Sequence, residues 1–280
     1  MRIDPPAPVT LEFLTGVGPR PSTDLRRAFQ QPAVEIRSGP PDHTLSLDWK
    51  IAPAYADIDP GSTQIRIALS QQATGRLDDL FNTFLITVLI VTLRRLGWHH
   101  LHAASARDTI GRGWLVAGNA RAGKSTTAAL MATQGWMVGS DDTTFIAAHG
   151  TEVAAWNTRQ PLALRRGGRS LLGEHPTHHE SRRGKYLCWP EQLGGHWTDR
   201  IRPDIILFST PGEHTTTCTP ISPVEALAQL VRWSAWVVLE PDLAQTHLDL
   251  LARLARQARS FRAELGSDLF RDPTRLSRLV

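Results

Sequence analysis

A mixed α/β fold, with a small β-rich amino-terminal lobe ahead of a larger sheet-and-helix domain, is what this 280-residue sequence predicts. Three observations carry the expectation. Short stretches of alternating apolar and polar residues fill the first 76 positions, apolar runs of strand length recur after residue 98, and a glycine-rich loop joins one of those runs to a helical segment. In the lobe, residues 1–76, the alternation is clearest in Val9–Phe13, Thr44–Trp49 and Gln64–Leu69, with turn residues between them. The second domain is placed at residues 77–280, opening with a helix over 77–97. Its most apolar part, Leu80 to Leu93, includes Asn82 and three threonines and stops at Arg94-Arg95. That is short of the roughly 20 residues needed to span a bilayer, so a buried helix is expected and no membrane partner.

His100–Ala106 reads as a strand that turns through Asp108–Gly113 into a second, Gly113–Ala117. Gly118-Asn119-Ala120-Arg121-Ala122-Gly123-Lys124-Ser125-Thr126 follows, matching GxxxxGK[ST], and a helix continues through Ala132. Strand, loop and helix in that order make a phosphate cradle. The glycines let backbone N–H groups turn inward at the positive end of a helix, Lys124 reaches β- and γ-phosphates, and the Ser125 hydroxyl suits a magnesium ion. ATP and magnesium are therefore the expected cofactors, with residues 118–126 as the binding segment.

Trp136–Ser140 is a short apolar strand ending in Asp141-Asp142, followed by a strand over Thr143–Ala147. Paired carboxylates at a strand end are where an open α/β sheet presents its ligand groups. Further on, Ile205–Phe208 reads as a strand, Val224–Val238 as a helix, and Leu243–Leu265 as an amphipathic helix with Leu248, Leu251, Leu254 and Ala255 on one stripe.

The chain carries a net charge of +4 and a pI near 9.6 without a basic helix or tail, so no nucleic-acid partner is expected. Cys188 and Cys218 stand far apart with no CxxC, and the first eight residues have no apolar export core, which suggests a cytoplasmic protein. His175, His178 and His179 beside Glu180 fit no recognised metal spacing and read as a loop. Most of the nine tryptophans read as core.

His102, the loop from Gly118 to Thr126 and the Gly135–Asp142 segment occur in the order and spacing of the catalytic domain of HPr serine kinase/phosphorylase, over about residues 98–240. The sixteen-residue interval from Ser125 to Asp141 anchors that resemblance. It implies an HPr kinase/PEP carboxykinase-like phosphate-loop sheet and transfer of the ATP γ-phosphoryl group to a serine. By the same resemblance Asp141 is the candidate base, with His102 orienting the hydroxyl and Lys124 completing the catalytic set. Ser125 and Asp142 are the candidate metal ligands. Asn119 replaces the family's usual aspartate, and no glycine-arginine-asparagine segment accompanies it, which speaks against reverse phosphorolysis. The chain also resembles HPr-kinase-related proteins of biosynthetic clusters, including lasso-peptide precursor kinases, which implies a serine-bearing peptide or small protein as partner; the family's oligomers make a homo-oligomer conceivable. Within the basic stretch from Asn157 to Leu193, Arg159 and Lys185 are the candidate substrate contacts. A small-metabolite kinase and a nucleotide-dependent regulator without transfer stay open as alternatives.

Overall fold

The computed structural model describes residues 8–18, 20, 25–39, 43–172, 179–180 and 184–280. The chain forms two compact units that divide between His99 and His100. The first holds a six-stranded sheet in the order Thr10–Thr15, Gln64–Leu69, Ala54–Ile58, Leu45–Trp49, Val34–Ser38, Arg26–Gln30. Only the first pair is parallel; the rest form an antiparallel meander. Leu45, Leu47, Ala56, Ile58, Ile65 and Ile67 are buried at alternate positions, as a half-buried pleat requires. Opposite that alternation, Arg20 lies 4.6 Å over the Tyr55 ring and donates to Asp48 and Asp57, so its charge is paired twice. The Leu80–Arg95 helical segment belongs to this unit and buries Phe84, Val88 and Val91. Its first turns, Leu80–Leu85, are π-helical.

The second unit is built on a seven-stranded sheet in the order His196–Trp197, Met137–Ser140, Ala103–Arg107, Gly113–Ala117, Pro203–Pro211, Arg259–Leu265, Thr217–Ile221. Its centre is parallel, with Pro203–Pro211 between Gly113–Ala117 and Arg259–Leu265. A strand covered on both faces must be apolar throughout, and Gly113–Ala117 is buried at every position. Trp114 and Val116 face Ala128, Ala129 and Met131 of the Lys124–Thr133 helix, while Leu115 and Ala117 face Leu250, Leu251 and Leu254 of the Pro241–Gln257 helix. The turn before this strand is held by Asp108, whose carboxylate accepts from the Ile110 and Arg112 amides, the Arg112 guanidinium and the Trp114 indole.

Three sequence expectations change. The predicted Leu243–Leu265 helix stops at Gln257, and Arg259–Leu265 is a strand pairing in parallel with Ile205–Pro211. The apolar stripe through Leu254 and Ala255 gives way to alternation at Phe261 and Ala263, both buried, so the helical period was carried too far. The predicted His100–Ala106 strand breaks at His102, between His99–Leu101 and Ala103–Arg107, and its two halves lie in different sheets. The Val224–Val238 helix ends at Arg232, and a separate 3-10 turn covers Ala235–Val238. Its start is set by Ser222, which accepts from the Glu225 amide while Glu225 reaches back to the Ser222 amide.

A smaller four-stranded sheet runs Arg200–Ile201, Glu152–Asn157, Thr144–His149, His99–Leu101. Among the described residues no helix is long and apolar enough to cross a membrane. His175 and His178 of the histidine-rich run lie outside the described residues.

Candidate functional site

Gly118–Gly123 leaves the carboxyl end of the Gly113–Ala117 strand and delivers the chain into the Lys124–Thr133 helix. Two backbone features shape the loop. Gly123 sits at φ +88°, and Arg121 holds φ +70°, a left-handed conformation that costs a side-chain-bearing residue about 1 kcal/mol. A Cβ on Gly118 would lie 2.6 Å from the Ser209 carbonyl oxygen, so the loop's first step admits only glycine. The Asn119 carbonyl accepts from the Ala122 amide, which closes the turn, and Ala122 is buried while Ala120 is exposed.

Lys124 is buried, and its ammonium donates to the Gly118 and Asn119 carbonyls at 2.9 and 3.0 Å. Its third neighbour is His102 Nε2, 2.9 Å away, and His102 Nδ1 lies 3.3 Å from Asp142 Oδ1. These partners fix the tautomer. An ammonium only donates, so Nε2 accepts, and Nδ1 carries the proton it gives to Asp142. Burial lowers the His102 pKa, with Asp142 opposing and Lys124 reinforcing, and it lowers that of Lys124 as well. The imidazole is therefore neutral at physiological pH. It is positioned by the break in its strand and by its amide, which donates to the Trp233 carbonyl at 3.2 Å.

The two adjacent carboxylates have different surroundings. Asp141 is 8% exposed; its Oδ2 accepts from the Ala163 amide at 3.0 Å, and the nearby Ser125 hydroxyl also favours its charged form. Burial raises its pKa. Asp142 keeps 54% of its side chain exposed and places Oδ1 3.9 Å from Lys124 Nζ. The Ser140 hydroxyl accepts from the Asp142 and Thr143 amides, at 3.2 and 2.9 Å, and so sets the turn that sends the carboxylates apart.

The structure thus brings together Lys124, His102, Asp141, Asp142 and Ser125 from the sequence-predicted set. Lys185 stands near enough for its charge to act on both Asp141 and Lys124. Arg159 is placed otherwise. Its guanidinium pairs with Glu191 at 3.3 Å and lies 5.4 and 5.6 Å from the Trp189 and Trp197 rings, a packing arrangement with no bond to the carboxylate pair.

Sequence reasoning missed Asn157. Its Oδ1 accepts from the Ser105 hydroxyl at 2.6 Å and its Nδ2 donates to the Thr198 carbonyl at 3.3 Å. It fills the space a side chain on Gly139 would need, since a Cβ there would fall 2.0 Å from Nδ2. The Met137–Ser140 strand that leads into Asp141 is thereby braced at Gly139. The only signal in the sequence was a glycine inside a short strand.

No cluster of three or more His, Cys, Asp or Glu suited to a metal occurs among the described residues. What the site does hold is the Ser125 hydroxyl at the start of the helix and the adjacent carboxylates of Asp141 and Asp142 after the Met137–Ser140 strand, all hard oxygen donors. That set fits magnesium, which takes one or two carboxylates and completes its shell with water and phosphate oxygens.

Set beside known proteins, the chain matches no family model and no curated protein. Among solved structures it is similar to the HPr(Ser) kinase/phosphatase from Coxiella burnetii, with a TM-score of 0.34 and 9% identity, over 65% of this chain and 93% of that one. So slight a likeness assigns no family. Mixed α/β architecture with several sheets is the class established by the fold itself.

Proposed function

We propose that the chain is a magnesium-dependent ATP kinase acting on a serine hydroxyl of a peptide or small protein. The observation that carries this reading is the His102 bridge between Lys124 and the open carboxylate of Asp142, beside a second, buried carboxylate bonded to the Ala163 amide and close to Ser125. A nucleotide-dependent regulator needs the loop, Lys124, Ser125 and one carboxylate. The additional carboxylate, half-exposed and tied to a neutral imidazole, is what an incoming hydroxyl requires.

The geometry also favours exchanging the roles expected for the two acids. Asp141, buried and close to Ser125, sits on the metal side, and a bound cation would oppose the burial that raises its pKa. Asp142 faces outward and accepts the acceptor's proton. In the transfer, the serine oxygen forms a bond to the γ-phosphorus, its proton passes to Asp142, and the bond to the β–γ bridging oxygen breaks to release ADP. Lys124 offsets charge on the phosphates, and His102 holds Asp142 in place through Nδ1. Magnesium bound by Ser125 and Asp141 would supply charge neutralisation at the phosphates. Lys185, felt electrostatically at both Asp141 and Lys124, is the second cation of the site.

The test is incubation with magnesium and ATP against a panel of serine-containing peptides, read by phosphopeptide mass spectrometry, with Asp142→Asn in parallel. Phosphoserine made by the wild type and lost in the variant supports the reading. ATP binding by calorimetry with no phosphopeptide from any acceptor refutes it.

A further inference from the structure

At the other end of the seven-stranded sheet from the phosphate loop lies an open cleft of about 670 Å³, whose lining includes Arg107, Met137, His149, Trp197, Arg200 and Arg202. Its position follows from strand direction. The Gly113–Ala117 strand begins opposite Arg107 and ends at the loop, and Met137 begins the strand that ends at Ser140. None of these groups takes part in the site described above.

The cleft's charges are incompletely matched. Arg202 is neutralised by Glu152 and Asp204. Arg107, half-buried, lies against the Met137 thioether, and a thioether offsets no charge. Arg200 lies 5.0 Å over the Trp156 ring and 3.3 Å from His149 Nε2, and it too has no carboxylate in an ion pair among the described residues. Asp199 also lines the cleft, and it forms no ion pair with either arginine among the described residues. A guanidinium presents a planar fork of donors matched to phosphate or carboxylate oxygens, and the cleft's size is that of a small organic ligand.

We infer that this cleft is a second binding site, for a small polyvalent anion built from phosphate or carboxylate groups and held between Arg107 and Arg200. Arg202 and Glu152 form its wall, and the Trp197 indole reports on it.

The experiment titrates inorganic phosphate, and separately citrate, into the full chain while following the Trp197 indole ¹⁵N–¹H resonance, assigned with Trp197→Phe. A saturable shift with either probe, persisting in Lys124→Ala and weakened at least tenfold in both Arg107→Gln and Arg200→Gln, is expected; the better probe identifies the ligand's chemistry. Arg200 is exposed, so its variant keeps the test clear of misfolding. No shift with either probe, a midpoint unchanged in both arginine variants, or a response lost in Lys124→Ala would overturn the inference.

Discussion

Replacing Asp142 by Asn separates binding from chemistry. The carboxylate stands 3.9 Å from the Lys124 ammonium, which at an effective dielectric of about 20 corresponds to about 4 kcal/mol. More than half of the Asp142 side chain is open to water, so screening reduces that to about 1 kcal/mol, and nucleotide affinity should change by less than about tenfold. Loss of a proton acceptor in the transition state is a larger effect, about 10²- to 10⁴-fold in kcat, or about 3–5 kcal/mol. His102 stays neutral in the variant, because Asp142 is the largest influence raising its pKa. Calorimetric ATP affinity and kcat with a serine-bearing acceptor peptide should therefore part company. A variant with wild-type kcat, or one whose ATP affinity falls as far as its kcat, refutes the division of labour between the two acids.

In Lys124→Ala, nucleotide affinity should fall by about two orders of magnitude and phosphate transfer should disappear, measured by calorimetry and by phosphopeptide yield. Gly139→Ala should cost about 2–4 kcal/mol in denaturant unfolding, since its Cβ would displace Asn157 from both Ser105 and Thr198; a cost below about 1 kcal/mol would deny Asn157 its bracing role. His100 is buried against Phe145 with its pKa lowered to about 3, chiefly by burial. The unfolded chain binds that proton first, so stability should fall as pH drops from about 6.5 toward 3, by about 1.4 kcal/mol per pH unit. Nδ1 of His100 has no partner, so His100→Leu loses no bond there and should flatten the dependence by that amount; equal slopes for variant and wild type would show that His100 is not the titrating group.

The local chemistry was legible in residue order. GxxxxGK[ST] after five buried residues requires a strand, a tight loop and a helix, because glycine conformation, burial and helix polarity are all set within a dozen positions. The strand ending at Asp141 was legible for the same reason. Strand order was not: Arg259–Leu265 joins the sheet beside a strand some fifty residues earlier, and nothing in its own period records that partner. The break at His102, which swings its ring between Lys124 and Asp142, comes from two halves of one apolar run entering different sheets. Neighbours in the chain, Asp141 and Asp142 have identical chemistry on paper. Burial under the Ala163 amide and the Ser125 hydroxyl separates one from the other, and burial is a property of packing between distant segments.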